Sequence, residues 1–207
     1  MYAGDANTAV QVSLSAAIPL AYVLQSEFSS LAVKTVALEI DSFDEKKQLQ
    51  IDQVIASPHE VRAGEKVRLT AVLVGDNGAE VSRTVDYAVP IGAPAGPLYF
   101  TVSDGNLTNL SEFRQILGSN PRSAEQLVAS VNKLRANTKA YVRVWRTEPN
   151  FQLDAEDFPD PPPSLALILG ASQTVLQTRN SKVAELEITA GDTVISGTKT
   201  VQVEVKE

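Results

Sequence analysis

The stretch Lys66-Val67-Arg68-Leu69-Thr70-Ala71-Val72-Leu73-Val74 decides the fold. Val67, Leu69, Ala71 and Leu73 recur at every second position, which in an extended chain puts them on one face and leaves Lys66, Arg68 and Thr70 on the other. The same period returns near the C-terminus, where Val201, Val203 and Val205 alternate with Gln202, Glu204 and Lys206. Strands buried on one face and wetted on the other are the parts of antiparallel sheets. Further segments rich in Val, Thr, Ile and Tyr predict strands at 31–40, 48–56, 81–89, 97–103, 139–146, 183–189 and 193–205. Between them, Arg62-Ala63-Gly64-Glu65, Gly75-Asp76-Asn77-Gly78 and Asp104-Gly105-Asn106 supply turn residues that tolerate positive φ.

About ten residues per strand and turn across 48–105 suits two packed sheets. The fold class expected is mainly β: an immunoglobulin/fibronectin-like β-sandwich with an inserted helix pair and a short N-terminal helix. Residues 1–47 read as a strand-helix-strand segment packed on a main domain of 48–207. Its first strand is expected at 8–14. A helix capped by Ser15 then follows, with Ala17, Leu20, Ala21 and Leu24 as its apolar stripe. The helical insertion is expected over 109–136. Its first helix has Asn109 as cap and Leu110, Phe113 and Leu117 facing inward; its second, over 123–135, carries a Ser123/Gln126 capping box and the stripe Leu127, Val128, Val131 and Leu134. Four prolines among the acidic residues of 154–163 predict a stiff exposed connection, since proline cannot donate to a central ladder. The segment beyond it, 164–207, is too short to hold a core alone and is expected to complete the earlier sheets.

The chain has 207 residues, 18 basic against 25 acidic, for a net charge of -7. That balance offers no excess of positive charge to a phosphate backbone, and nucleic acid is not an expected partner. Cysteine is absent, which removes disulfides and thiolate metal sites. The apolar run 10–24 is too short to span a bilayer and lacks the basic flank of a signal peptide, so no membrane insertion is expected. Met1 followed at once by strand-like sequence, with no leader, is also what a segment of a longer protein looks like.

Catalytic equipment is sparse. The single histidine, His59, stands beside Pro58 in an expected loop. No Gly-x-Ser-x-Gly elbow, phosphate loop, His-Glu-x-x-His or dinucleotide fingerprint occurs. Carboxylates are plentiful in two clusters, Asp41, Asp44 and Glu45, and Asp154, Glu156, Asp157 and Asp160, but neither has the spacing of a twelve-residue calcium loop. They read as solvated acidic loops; a carboxylate-based glycosidase is the least favoured reading. No cofactor or metal site is expected. One strand stands out: in 139–146, Ala140, Val142 and Val144 face the core, so Tyr141, Arg143 and Trp145 line the opposite face. Such a row has the composition of a binding hot spot, for a partner protein or for a carbohydrate. The competing reading is that the inserted helices cover it.

The order Ile51-Asp52, then Val61-Arg62-Ala63-Gly64-Glu65-Lys66-Val67, Ala88-Val89-Pro90, Ala95-Gly96-Pro97-Leu98-Tyr99-Phe100-Thr101-Val102-Ser103-Asp104-Gly105, a helix beginning near Pro121 and Val194-Ile195-Ser196-Gly197 resembles the region following the catalytic domain of SpoIVB-type serine peptidase proteins of bacteria. The resemblance implies a non-catalytic accessory domain of a larger exported or surface protein, with a peptidase domain of the same parent as partner. It implies no catalytic residue: the family's Gly-Met-Ser-Gly stretch has no counterpart, and its histidine does not map onto His59.

Overall fold

A computed structural model describes residues 8–26, 28, 31–37, 39, 46–118, 123–153, 156–159 and 175–207. The element order is α1 (Thr8–Leu24), β1 (Gln48–Ser57), β2 (Glu60–Arg62), β3 (Lys66–Gly75), β4 (Glu80–Ala88), β5 (Gly96–Asp104), α2 (Gly105–Gly118), α3 (Ala124–Asn132), β6 (Lys139–Leu153), β7 (Glu156–Pro159), β8 (Val175–Thr189), β9 (Val194–Ser196) and β10 (Thr198–Lys206). The protein is mainly β, in two sheets. One has the order β4-β3-β1-β9; the other runs β2-β10-β5-β6-β7, with β8 also paired to β6.

Alternation builds the core. Val67, Leu69, Ala71 and Leu73 of β3 are fully buried, facing Leu98, Phe100 and Val102 of β5 together with Ala140, Val142 and Val144 of β6 in one hydrophobic cluster. Val203 and Val205 of β10 join it, with Val201 packed at its margin. Tyr87 meets Phe100 edge to face at 5.5 Å, linking the two sheets. The loops at Gly64 and Gly78 turn with positive φ, as their sequences require; Asn77 Oδ1 accepts the Ala79 N–H at 3.0 Å in the second.

In β1 the register against β3 shifts between Ile51 and Gln53. That bulge at Asp52 exchanges the strand's faces: Ile51 is buried, whereas Ile55, four residues on, is 41% exposed and Ala56 turns inward. Beyond the cis Ser57–Pro58 bond the chain crosses to the other sheet, where β2 pairs in parallel with β10. The C-terminal run expected as one strand over 193–205 crosses likewise. It is broken at Gly197 (φ +98°), so that β9 pairs in parallel with β1 while β10 pairs antiparallel with β5. The segment after 164 therefore contributes to both sheets.

Several local expectations are corrected. The strand expected at 8–14 is part of one helix, α1, which contains Pro19. Its alanines and leucines are strong helix formers, and Ser13 and Ser15 donate back to Ala9 O and Val12 O, so Ser15 is no cap. In the expected apolar stripe, Ala17 and Leu24 are exposed while Leu20 and Ala21 are partly buried. Residues 31–37 form no strand: alternation defines a face but supplies no hydrogen-bonding neighbour. Asp104-Gly105-Asn106 is no hairpin turn but the start of α2, which begins four residues before the expected cap Asn109. Leu110 consequently faces outward at 48% exposure. In α3 the Gln126 N–H reaches Ser123 Oγ at 3.3 Å, as the capping box requires, but Leu127 alone of the expected stripe is fully buried; Val128 and Leu134 are exposed. Within the proline-rich segment, 156–159 form β7 at the end of β6, with Pro159 opposite Asn150; residues 154, 155 and 160–163 lie outside the described residues. Both β6 and β8 run longer than the sequence indicated, to 15 residues each. Among the described residues no helix is long and apolar enough to cross a membrane.

The bulge is testable by a paired substitution. Ile51→Ala is expected to cost about 2–5 kcal/mol in urea unfolding and Ile55→Ala under about 1 kcal/mol; comparable losses at both positions would contradict the exchanged faces.

Candidate functional site

The outer face of the six-stranded sheet is organised in rows set by strand pairing. Tyr141 of β6 lies opposite Ser103 and Glu187, Arg143 opposite Thr101 and Glu185, and Trp145 opposite Tyr99 and Lys182. The three residues of the sequence-derived row thus share one face, each in different surroundings. Tyr141 is 4% exposed, and its hydroxyl accepts the Ala136 N–H at 3.1 Å. Burial pushes its phenol pKa upward. Arg143 is partly buried; Nη2 donates to Ser111 Oγ of α2 at 2.8 Å, while Nε is buried without a hydrogen-bond partner. Trp145 is partly exposed and stacks on Tyr99 with ring centroids 4.3 Å apart at 15°, and its Nε1 donates to Thr101 Oγ1 at 2.9 Å. Tyr99 is the functional candidate that reading β6 alone misses. Its outward position is legible in the alternation of β5, but its meeting with Trp145 depends on register.

Beside this face, Arg135 forms a node just beyond α3. Asn109 of α2 holds its backbone from both sides, donating to Arg135 O at 3.0 Å and accepting its N–H at 2.8 Å. The guanidinium binds Glu185 of β8 through Nε and Nη2 at 2.6–2.9 Å, pairs with Glu112 of α2, and lies 5.5 Å from the centroid of the Tyr141 ring. Burial opposes the charge on Arg135, but the hydrogen bonds it donates to Glu112 and Glu185 outweigh it and raise its pKa. Glu185 behaves in the complementary way. Burial alone would lift its carboxyl, yet hydrogen bonds from Lys182 and Arg135 hold it below the ordinary carboxylate range. An open cleft of about 400 Å³ borders this node, with Lys133, Arg135, Lys139, Tyr141, Glu185 and Glu187 in its wall. Four of these charges form two pairs: Lys139 reaches Glu187 at 2.6 Å, as Arg135 reaches Glu185.

Among the described residues the most buried carboxylate is Asp104, at 6% exposure. Oδ1 accepts the Leu107 N–H at 2.7 Å, capping α2, and Oδ2 accepts the Gly197 N–H at 2.7 Å. Burial pushes its pKa up, against the pull of these backbone donors. His59 is exposed on the loop between β1 and β2, and its carbonyl accepts the Glu204 N–H at 2.9 Å. Of the two acidic clusters, Asp41, Asp44, Glu45, Asp154 and Asp160 lie outside the described residues, as do the side chains of Glu156 and Asp157. Among the described residues no group of three His, Asp or Glu could hold a metal ion.

Comparisons with protein-family models, with curated proteins and with solved structures give no match. The functional reading therefore rests on the residues themselves.

Two outcomes test this geometry. Asn109→Asp replaces the donor facing Arg135 O with a second acceptor and is expected to cost about 1–3 kcal/mol of stability; an unchanged unfolding midpoint would contradict the double hydrogen bond. Because the Glu185 carboxyl is depressed in the folded state, the native protein binds fewer protons there than the unfolded chain. Its stabilisation is complete above the ordinary carboxylate range and lost as pH falls through the folded value. The stability deficit of Glu185→Gln should accordingly be largest near neutrality and shrink on acidification, whereas a deficit independent of pH would contradict the charge pairing.

Proposed function

We propose that this chain is a non-catalytic accessory or interaction domain of a larger exported bacterial protein, neighbouring a serine-peptidase domain of the SpoIVB type, and that its architecture is an immunoglobulin/fibronectin-like sandwich. Two sheets around one cluster, with antiparallel neighbours β3-β4 and β5-β6, support the sandwich reading. The peptidase neighbour and the exported location rest on the motif resemblance given above.

The observation that carries the non-catalytic reading is the use made of the buried and part-buried ionisable groups among the described residues. Asp104 accepts two backbone N–H groups, and Arg135 and Glu185 bind each other. A catalytic acid or base needs a reactive atom left for substrate and a pKa near the working pH. Glu185 is instead held ionised, the opposite of what a glycosidase general acid requires. The sole histidine is exposed, and the chain has no cysteine.

Purified protein is expected to give no inhibitor-sensitive cleavage of casein or fluorogenic peptides and no covalent labelling by a fluorophosphonate probe. Stoichiometric labelling of one serine, abolished by denaturation, would overturn the proposal.

A further inference from the structure

Across β10, β5 and β6, the outer positions Gln202, Tyr99 and Trp145 are successive cross-strand neighbours. At the strand spacing of a sheet this row spans about 10 Å. Thr200 and Thr101 form the adjoining row and touch through their hydroxyls at 2.8 Å. The helix α2 reaches the sheet through Thr108, bound to Ser103, and Ser111, bound to Arg143, in the two rows away from Gln202. Tyr99 and Trp145 keep part of their surface exposed, and Thr200 and Gln202 are exposed.

We propose that Tyr99, Trp145, Thr200 and Gln202 form a binding site for a neutral carbohydrate. The proposal goes beyond the accessory role, since a non-catalytic domain functions with or without a glycan ligand. The indole N–H can only donate, so Thr101 Oγ1 accepts from it at 2.9 Å, and the Thr101 and Thr200 hydroxyls share a hydrogen bond at 2.8 Å in which either can be the donor. Whichever donates, the exposed Thr200 hydroxyl keeps hydrogen-bonding capacity for a ligand, and the Gln202 amide offers both a donor and an acceptor. Groups of that kind match sugar hydroxyls, which likewise donate and accept, and the edges and unstacked faces of the aromatic pair are apolar surface for the C–H face of a pyranose.

Of the cations near the row, Lys182 is paired with Glu185 at 2.7 Å, while Arg146 and Arg143 donate to the neutral acceptors Pro94 O at 3.2 Å and Ser111 Oγ at 2.8 Å. A polyanionic glycan would also meet a chain of net charge -7. A purely apolar partner would desolvate the amide of Gln202 without replacing its hydrogen bonds to water.

Trp145 is the single tryptophan, so its emission reports on the site directly. The full chain is titrated with neutral cello-, xylo- and chito-oligosaccharides, by tryptophan fluorescence and by calorimetry, at up to millimolar concentration. The expected result is a saturable emission change with at least one series, insensitive to ionic strength. The double variant Thr200→Val, Gln202→Ala, whose substitutions are both at exposed positions, should bind that sugar at least tenfold more weakly with an unchanged melting temperature. No saturable response to any neutral series, equal affinity in the double variant, or binding confined to polyuronates would each overturn the proposal, while the absence of peptidase activity is decided separately by the labelling experiment.

Discussion

The carboxylate of Asp104 is the constraint on which the arrangement of this molecule depends. At the end of β5 it caps α2 through Leu107 and holds the Gly197 N–H, at the point where the C-terminal chain leaves one sheet for the other. The same residue donates its own N–H to Gly197 O at 3.0 Å. Burying an ionised carboxylate costs free energy unless donors replace the lost water, and here the backbone supplies them. The surroundings leave little latitude: a Cβ at Gly105 would come within 2.5 Å of Ala136 O, and Gly197 requires positive φ. Ser103 and Thr108 close the joint with buried hydroxyl contacts, Thr108 also donating to Asp104 O at 2.7 Å.

From that joint the outer face of the larger sheet takes its form. With α2 started at Gly105, Asn109 and Glu112 meet Arg135, and Arg135 in turn binds Glu185 of β8. Helix, loop and sheet are tied by charge, while Leu107, Leu110, Val128 and Leu134 of this region remain exposed. An exchange of Arg135 for lysine would lose the fork that engages two carboxylates in one plane. The rows nearest the joint are engaged by α2; the row of Tyr99 and Trp145 lies one step beyond Arg143, and both rings keep part of their surface exposed while Tyr141 is part of the packing.

Much of the β framework was legible because burial on one face imposes a period of two. The β3 quartet, the β6 triplet and the β10 valines all lie inward as alternation requires. Legibility ended where one local chemistry serves two structures. Asp, Gly and Asn are favoured both in tight turns and at helix starts, so Asp104-Gly105-Asn106 could be resolved only by what Asp104 meets across the fold. Residues 8–14 mix valines with strong helix formers, and the helix prevails there. A bulge such as that at Asp52 and a break such as Gly197 are properties of paired strands. Register likewise hid the candidate site: Trp145 was identifiable from β6, but Tyr99, Thr101 and Thr200 join it only once β5 is paired on both sides.

The most direct test of this account is native-state hydrogen exchange at the Leu107 and Gly197 amides, followed by NMR in the wild type and in Asp104→Ala. If one carboxylate holds both, the substitution should reduce protection at the two sites together, although they lie far apart in sequence, while amides of central β3 stay protected. Loss of protection at Leu107 with Gly197 unchanged would reduce Asp104 to an ordinary helix cap and contradict its role as the joint between helix and sheets.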